Sequence, residues 1–175
     1  AGGYRPAVSI YFDVDADFNV SAPVCKIEAV NIVENLRIQA IEPHFNAQSG
    51  LDAEGAALFA HHRDLIWFYQ LAIARQKARG KYEPERAAQY DYSNELASDG
   101  LVSVARRERG SPIDTLVSEM MILANSTWAQ MLDQVGLPGL FRVQPAGKVR
   151  MSTQSEPHIG MGVQHYGWFT SPLRR

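Results

Sequence analysis

A long segment bounded by two helix signals constrains the fold more than any other feature of this sequence. Ser111-Pro112 is typical of a helix start, because proline fits the first turn, and Gly136 is typical of a helix end. Between these signals one face is marked by side chains at helical spacing, namely Leu116, Met120, Leu123, Thr127 and Met131. The sequence therefore predicts a helix from Ser111 to about Val135 that buries this face in a core.

A second, earlier helix is predicted from about Asp52 to Arg79. Its buried face is indicated by residues at spacings of three, four and seven, namely Leu58, Leu65, Phe68 and Ala72. Asp52 suits the N-cap position, and Gly80 follows a basic last turn, as helix C-termini favour. Pro84 then prevents the helix from continuing.

The N-terminal third of the chain has the alternation of strands. Residues 7–14 alternate apolar and polar positions, and residues 15–17 (Asp-Ala-Asp) have the composition of a hairpin turn. Residues 18–24 are expected to form the return strand, ended by Pro23, and residues 25–30 a further extended piece.

The remaining segments complete a mixed pattern. Residues 35–41 are typical of a short helix or ordered loop, and residues 95–104 of two short strands around an Asp-Gly turn. A short extended piece is expected at 140–143, followed by a loop. No repeat or linker divides the chain, so the expected fold is a single α+β unit over residues 1–175, with antiparallel strands packed with two long helices.

Composition excludes several classes of protein. The chain has 175 residues, 46% hydrophobic and 21% charged, with a formal net charge of −2, values that exclude disordered, collagen-like and strongly charged chains. No apolar run approaches the roughly 20 residues of a membrane span. The first residues lack a signal-peptide pattern, and a lone Cys25 cannot form an internal disulfide, so we expect a cytoplasmic protein.

Three groups of polar residues are candidates for metal binding or catalysis. Asp13, Asp15 and Asp17 are of the type that binds hard cations, but they lack the spacing of a calcium loop, and solvated turn carboxylates are the alternative. His61 and His62 are adjacent, so they point in different directions on a helix, unlike zinc ligands at i and i+4. Gly-x-Ser-x-Gly and glycine-rich phosphate loops are absent from the sequence, and we expect Cys25 to be a packing thiol.

Basic residues suggest contacts with phosphate groups. They form two clusters, which are Arg75, Lys77, Arg79 and Lys81, and then Arg106, Arg107 and Arg109. A basic helix end and a solvated loop are equally acceptable interpretations. At the C-terminus, Ser171-Pro172 is typical of a helix start that would direct Arg174 and Arg175 towards an anion.

Two motifs resemble a known family. Met151–Arg175 contains His158-Ile-Gly-Met-Gly, Tyr166 and Phe-Thr-Ser-Pro-Leu-Arg-Arg, and it resembles the signature of the RNB catalytic domain found in ribonucleases II and R. Leu116–Asn125 (Leu-Val-Ser-Glu-Met-Met-Ile-Leu-Ala-Asn) is similar to the family's Leu-Val-Glu-Glu-x-Met-x-x-Ala-Asn helix. Arg5-Pro6 and the opening strands also resemble the segment that follows the family's metal site.

The resemblance implies a hydrolytic exoribonuclease that degrades single-stranded RNA from its 3′ end and releases nucleoside 5′-monophosphates with the help of Mg²⁺. By this resemblance Arg174 is the catalytic arginine. It also implies substrate-binding roles for further residues, which are Glu119, Asn125, His158, Tyr166, Thr170, Ser171 and Arg175. Glu119 matches a position near the last nucleotides, where a carboxylate can accept from ribose hydroxyls.

The departures from the family pattern are equally specific. The family's aspartate cluster lies before residue 1, and Asp13, Asp15 and Asp17 do not replace it, so we assign no metal ligand to this chain. Ser118 stands where the family has the first of two glutamates, and the loop from Val143 to His158 is short. We therefore expect the middle to later portion of a catalytic domain, without its flanking RNA-binding domains and inactive alone. The alternative is a degenerate homologue that binds RNA or protein without hydrolysis.

Overall fold

Helices and antiparallel hairpins alternate along the chain. The computed structural model describes residues 3–52 and 54–169. Within these ranges the helices are α1 (Ile38–Ile41), α2 (His62–Ala78) and α3 (Pro112–Gln134). The strands there are β1 (Tyr4–Val14), β2 (Val20–Asn31), β3 (Gln89–Leu96), β4 (Val102–Arg109), β5 (Phe141–Val143) and β6 (Arg150–Ser152). Consecutive strands pair antiparallel, β1 with β2, β3 with β4 and β5 with β6, which confirms the predicted α+β class.

The main core lies where α1, α2 and α3 meet. Its buried residues come from all three helices and the turn after α1, and they are Ile41, Phe45, Leu65, Ile66, Ile113 and Leu116. Burying each large side chain contributes about 1.5–3 kcal/mol. A smaller cluster joins Ala129 of α3 to Phe141 and Val143 of β5. The two long helices therefore share one core.

Helix α3 follows the predicted boundaries closely. The Ser111 hydroxyl accepts a hydrogen bond from the Asp114 backbone N–H at 3.3 Å, and Pro112 occupies the first turn. The helix ends at Gln134, and Gly136 has a φ of +66°, the left-handed conformation that glycine adopts without strain. The capping signals in the sequence therefore fixed both ends of this helix.

Helix α2 is shorter than the sequence predicts, and the proposed start at Asp52 is wrong. The Asp52 carboxylate accepts from the Glu54 backbone N–H at 2.9 Å, so it closes a local turn. The N-cap is His61, with a φ of +63°, and the helix begins at His62. Two members of the predicted apolar face, Leu65 and Ala72, are buried. The other two, Leu58 and Phe68, are exposed.

The first hairpin contains one long return strand instead of the two pieces expected. β2 runs through Pro23, because the pairing register shifts between Tyr11 and Asp13. Tyr11 lies opposite Val24 and Asp13 lies opposite Ser21, so β2 has one residue more than β1 between these pairs and bulges there. Pro23 lies in the bulge, where its missing N–H removes no hydrogen bond between the strands. The predicted break at Pro23 is therefore wrong.

This first hairpin contacts both long helices. The Trp128 indole N–H of α3 lies 3.1 Å from the Cys25 sulfur, and the Met131 sulfur lies 3.7 Å from it. At the hairpin tip, the Phe18 and Trp67 rings are 5.9 Å apart. The Cys25 sulfur thus contacts α3, but the residue is exposed, so it is not a thiol packed in the core.

The other two hairpins differ in burial. β3 and β4 extend the predicted Asp-Gly hairpin, with the Asp99 carboxylate accepting from the Leu101 N–H at 3.0 Å, and nearly all their residues are exposed. β5 agrees with the predicted extended piece, whereas β6 forms in a region predicted to be a loop, because it pairs with β5 across Phe141 and Ser152.

In the described part of the chain no helix is long and apolar enough to cross a membrane.

Candidate functional site

Two polar residues of α3 lie where an apolar side chain is expected. Glu119 is 3% exposed and faces α2, whereas Asn125 is fully buried and faces the C-terminal segment. Burying a polar group is costly unless a partner compensates for the lost water. The contacts of these two residues therefore define the site.

Asn125 of α3 forms hydrogen bonds with the segment at residues 166–169. Its amide nitrogen lies 3.4 Å from the Tyr166 hydroxyl, and its amide oxygen accepts from the Phe169 N–H at 3.4 Å. Its backbone carbonyl accepts from the Gly167 N–H at 3.2 Å. Asn125 thus orients the residues that lead directly into the Thr170–Arg175 motif.

Glu119 forms a buried ion pair with Arg79 at the end of α2. One guanidinium nitrogen donates to Glu119 Oε1 at 2.5 Å, and the side chains are only 8% and 3% exposed. Another nitrogen of Arg79 donates to the Met161 carbonyl. Arg79 Nε and Glu119 Oε2 have no hydrogen-bond partner among the described residues.

His158 lies on the turn that Arg79 contacts through Met161. Its Nδ1 accepts from the Met161 N–H at 3.2 Å, so the neutral ring carries its proton on Nε2. Burial, and then the positive charge of Arg142, lower the pKa of His158 below its ordinary value of 6.5. The ring packs edge-on against Tyr166 with centroids 5.9 Å apart, and Nε2 has no partner within the described residues.

The site therefore combines three unsatisfied polar atoms on residues linked through Met161. Glu119 Oε2 is an acceptor, and the N–H groups of Arg79 Nε and His158 Nε2 are donors. Buried polar groups without partners are rare in native proteins, so each of these three atoms needs an explanation.

The charge around Glu119 is net positive. Arg75 lies one helical turn before Arg79, and burial and the repulsion from Arg79 lower the pKa of Arg75, whereas Glu119 opposes the change. One carboxylate thus faces two guanidinium groups. This excess of positive charge favours a ligand that carries negative charge.

The structure brings together four of the predicted site residues, which are Glu119, Asn125, His158 and Tyr166. The predicted Thr170, Ser171, Arg174 and Arg175 lie outside the described residues. Arg79 was recognised only as a member of a basic cluster, and nothing in its spacing distinguishes it from the neighbouring cations. Its position next to Gly80 at a helix end was the available signal.

Of the three aspartates of the first hairpin, Asp13 lies on β1 and Asp15 and Asp17 lie in the turn. The Asp15 carboxylate accepts from the backbone N–H groups of Asp17 and Asn19 at 2.9 and 2.8 Å and from the Asn19 side chain at 2.9 Å. The bonds from Asn19 lower the pKa of Asp15. Across residues 3–52 and 54–169, no three His, Cys, Asp or Glu side chains form a group suited to a metal ion.

The side chains of the adjacent histidines point in different directions, as their spacing predicts. His61 lies 3.4 Å from carboxylate oxygens of both Glu34 and Asp64 at the surface. His62 is buried, with Nε2 2.8 Å from the Gly50 carbonyl and Nδ1 accepting from the Leu58 N–H at 3.3 Å. Both residues therefore have structural contacts.

The second basic cluster also has structural contacts. Arg107 binds both oxygens of Glu42, at 2.6 and 2.9 Å, and Asp114 at 2.8 Å. The bonds to Glu42 and Asp114 raise the pKa of Arg107, and the bond from Arg107 lowers that of Glu42. This network joins the turn after α1 to the start of α3.

The flanking arginines of that cluster lie on the β3–β4 hairpin. The Arg106 guanidinium is 4.6 Å from the centroid of the Tyr90 ring, and Arg109 is 3.4 Å from the Asp91 carboxylate. Both contacts are at the surface. They are ordinary cross-strand pairs of a solvated hairpin.

The family of the chain follows from its sequence. The family model for the RNB domain matches residues 1–151. The chain belongs to the RNB domain family. Exoribonuclease 2 of Glaesserella parasuis is 24% identical over 236 aligned residues, which cover 98% of this chain and 36% of that protein. The alignment is longer than this chain of 175 residues, so the relative contains insertions.

Solved structures share the RNB fold. RNase R of Mycoplasma genitalium, solved with double-stranded RNA, superposes with a TM-score of 0.72 at 14% identity, over 99% of this chain and 40% of that one. An active-site mutant of the Dss1 exoribonuclease from Candida glabrata gives a TM-score of 0.67 at 17% identity, over 98% and 27%. This RNB chain therefore spans well under half the length of its relatives.

The expected Mg²⁺ does not fit the described residues of this RNB chain. Magnesium binds through carboxylates that converge on one position. Glu119, the buried carboxylate of the site, is already paired with Arg79, and the described ranges contain no group of three potential metal ligands. The described residues therefore do not form a magnesium site.

Proposed function

We propose that this RNB chain is part of a hydrolytic exoribonuclease that removes nucleoside 5′-monophosphates from the 3′ end of single-stranded RNA. The observation that carries the proposal is the set of unpaired buried atoms on Arg79, Glu119 and His158. One acceptor and two donors suit a ribose hydroxyl beside phosphate oxygens, which distinguishes RNA from DNA. Family membership supports the reaction class.

The residues contribute in different ways to this reaction. Glu119 Oε2 accepts from a ribose hydroxyl, and the His158 Nε2–H donates to a substrate oxygen. Asn125 and Tyr166 hold the segment that leads to Thr170, Ser171 and Arg175, which are proposed to contact the RNA backbone. Arg174 is proposed to stabilise the charge that develops on the scissile phosphate.

The proposal extends to the organisation of the protein. Residues 1–175 form a single partial catalytic domain, the Mg²⁺ ligands belong to residues outside this chain, and the chain alone is inactive. The protein acts in the cytoplasm, a location consistent with its free Cys25.

The alternative is an RNB homologue that binds RNA or a protein without cleaving it. Two observations favour it. The Glu119 carboxylate is neutralised by Arg79, and Ser118, where the family has a glutamate, donates to the Thr115 carbonyl at 3.0 Å and faces solvent. Both features weaken the acidic character of the helix.

The test uses a 5′-labelled single-stranded RNA, the DNA of the same sequence and Mg²⁺. We expect the protein of the full gene to release mononucleotides from RNA and not from DNA, and the 175-residue chain to release none. Glu119→Gln should weaken the activity, whereas Arg63→Met, at an exposed position of α2, should not. RNA binding without cleavage by the full protein would establish the alternative.

A further inference from the structure

We propose that Arg79 is a positioning residue: it holds the Glu119 carboxylate by Oε1 and so fixes the orientation of the group proposed to contact the RNA. The inference rests on the proposed function, because the group that is positioned is the proposed contact to the ribose. Arg79 itself need not touch the substrate. Its partners span three parts of the chain, α2, α3 and the turn at residues 158–162.

The backbone of Arg79 is fixed by the way α2 ends. Arg79 is the C-cap, the Gly80 N–H donates to the Lys77 carbonyl at 3.0 Å, and the Lys81 N–H donates to the Gln76 carbonyl at 2.9 Å. Gly80 has a φ of +64°. These are the two bonds and the left-handed glycine of a Schellman motif, which holds the arginine backbone in one orientation.

The turn at residues 158–162 rests directly on this helix end. A side chain at Gly162 would come within 2.6 Å of the Arg79 carbonyl, so only glycine permits the approach. The Arg79 side chain then donates to the Met161 carbonyl, and the Met161 N–H donates to His158. One arginine therefore fixes both Glu119 and the turn that carries His158.

The unpaired atoms distinguish positioning from simple stabilisation. A buried ion pair stabilises a fold only when the remaining lone pairs and N–H groups are also satisfied. Arg79 Nε and Glu119 Oε2 lack partners in the described structure, although their side chains are almost completely buried. A pair selected for stability alone would engage these atoms, as Arg107 and Glu42 do with two bonds.

The test is a double-mutant cycle in the protein of the full gene, using Arg79→Met, Glu119→Gln and both together, with Arg63→Met as the matched control. We expect Arg79→Met to lower kcat on RNA about 100-fold, because a small misplacement of a contact group has effects of that order. The double variant should lose little more than either single variant, since both remove the same contact. Arg63→Met should leave kcat and KM unchanged.

The split between kcat and KM and the effect of a conservative variant add readouts that a structural role would not move. Arg79→Met should lower kcat while leaving KM nearly unchanged, because a misplaced contact group acts in the transition state. Arg79→Lys keeps the charge but not the two-pronged geometry, and it should restore only part of kcat.

The outcomes separate the two proposals. Additive losses in the cycle, or an unchanged kcat in Arg79→Met, would overturn the positioning role while leaving the exoribonuclease intact. A full-length protein that neither cleaves nor binds RNA would overturn the proposed function and this inference with it. If Arg79→Met does not fold, the cycle is run with Arg79→Lys, and additivity there would overturn the positioning role.

Discussion

Two arginines, Arg79 and Arg107, bind carboxylates from distant parts of the chain, and they do so in opposite ways. Arg107 is about one-third exposed and engages both oxygens of Glu42 and one of Asp114. Arg79 is 92% buried, yet it leaves one of its nitrogens and one oxygen of Glu119 without a partner in the described structure. The more buried network is the less satisfied one.

The difference is the one expected if the Arg107 network serves the fold and the Arg79 network serves the proposed contact with RNA. Evolution towards stability satisfies polar atoms as they are buried, because an unsatisfied group costs about 1–3 kcal/mol. The Arg107 network follows this rule and caps α3 through Asp114. The Arg79 network departs from it at the place where Glu119 and His158 lie.

The largest expected difference between the two networks is in the free energy of unfolding. Arg79→Met should lower the free energy of unfolding by about 3–5 kcal/mol, because it leaves the Glu119 carboxylate buried and unpaired. Urea denaturation at neutral pH measures it, with Arg63→Met as the control. Adding Glu119→Gln should recover much of the loss, and a double variant less stable than Arg79→Met would contradict the account.

A smaller loss is expected in the satisfied network. Arg107→Met should lower the free energy of unfolding by about 1–2 kcal/mol, since its partners remain partly exposed and water can replace the bonds. The same denaturation experiment measures it. A loss as large as that of Arg79→Met would remove the distinction between the two networks.

The pH dependence of stability sharpens the comparison further. The folded pKa of His158 lies below 6.5, so the unfolded chain binds a proton first, and this residue lowers stability as the pH falls below about 6.5. The folded pKa of Glu42 lies below 4.5, so its contribution is present above that pH and is lost as the pH falls through the folded pKa. The effect of His158 therefore reports on the Arg79 network, and the effect of Glu42 on the Arg107 network.

Variants separate these two pH windows. His158→Asn should flatten the stability profile near pH 6.5 relative to the parent chain, and Glu42→Gln should flatten it only below pH 4.5. Thermal unfolding between pH 3 and 8 follows both. A flattening near pH 6.5 in Glu42→Gln, or its absence in His158→Asn, would contradict these assignments.

The smallest effect is expected at the surface of the β3–β4 hairpin. Arg109→Ala removes an exposed ion pair with Asp91, and it should change the free energy of unfolding by less than about 0.5 kcal/mol. Added salt should reduce even this difference. Comparison of the urea midpoints at low and high salt tests the expectation.

Local signals predicted the parts of the fold that depend on local contacts. The cap at Ser111, the Asp-Gly turn at Gly100 and the hairpin turn at Asp15 are fixed by bonds within four residues. The helix start at Asp52 was predicted wrongly, because a competing turn to Glu54 is equally local. The alternation of strands correctly gave β1 but not the bulge that lets β2 pass Pro23.

The candidate site was only half predictable. The family resemblance identified Glu119, Asn125, His158 and Tyr166, and the structure brings them together. It did not identify Arg79, whose partners lie 40 and 82 positions away. Which arginine of a basic run turns inward depends on such long-range packing, and no spacing rule encodes it.

The long reach of Arg79 also sets an order of events during folding. The hairpins and helices close over short stretches of chain, so they can form early at a small cost in loop entropy. The bond from Arg79 to Met161 closes a loop of 82 residues, and Asn125 meets Phe169 across 44. During synthesis from the N-terminus the helices are therefore complete well before the site, which assembles only after residue 169 has emerged, so a nascent chain carries the scaffold before it carries the completed site.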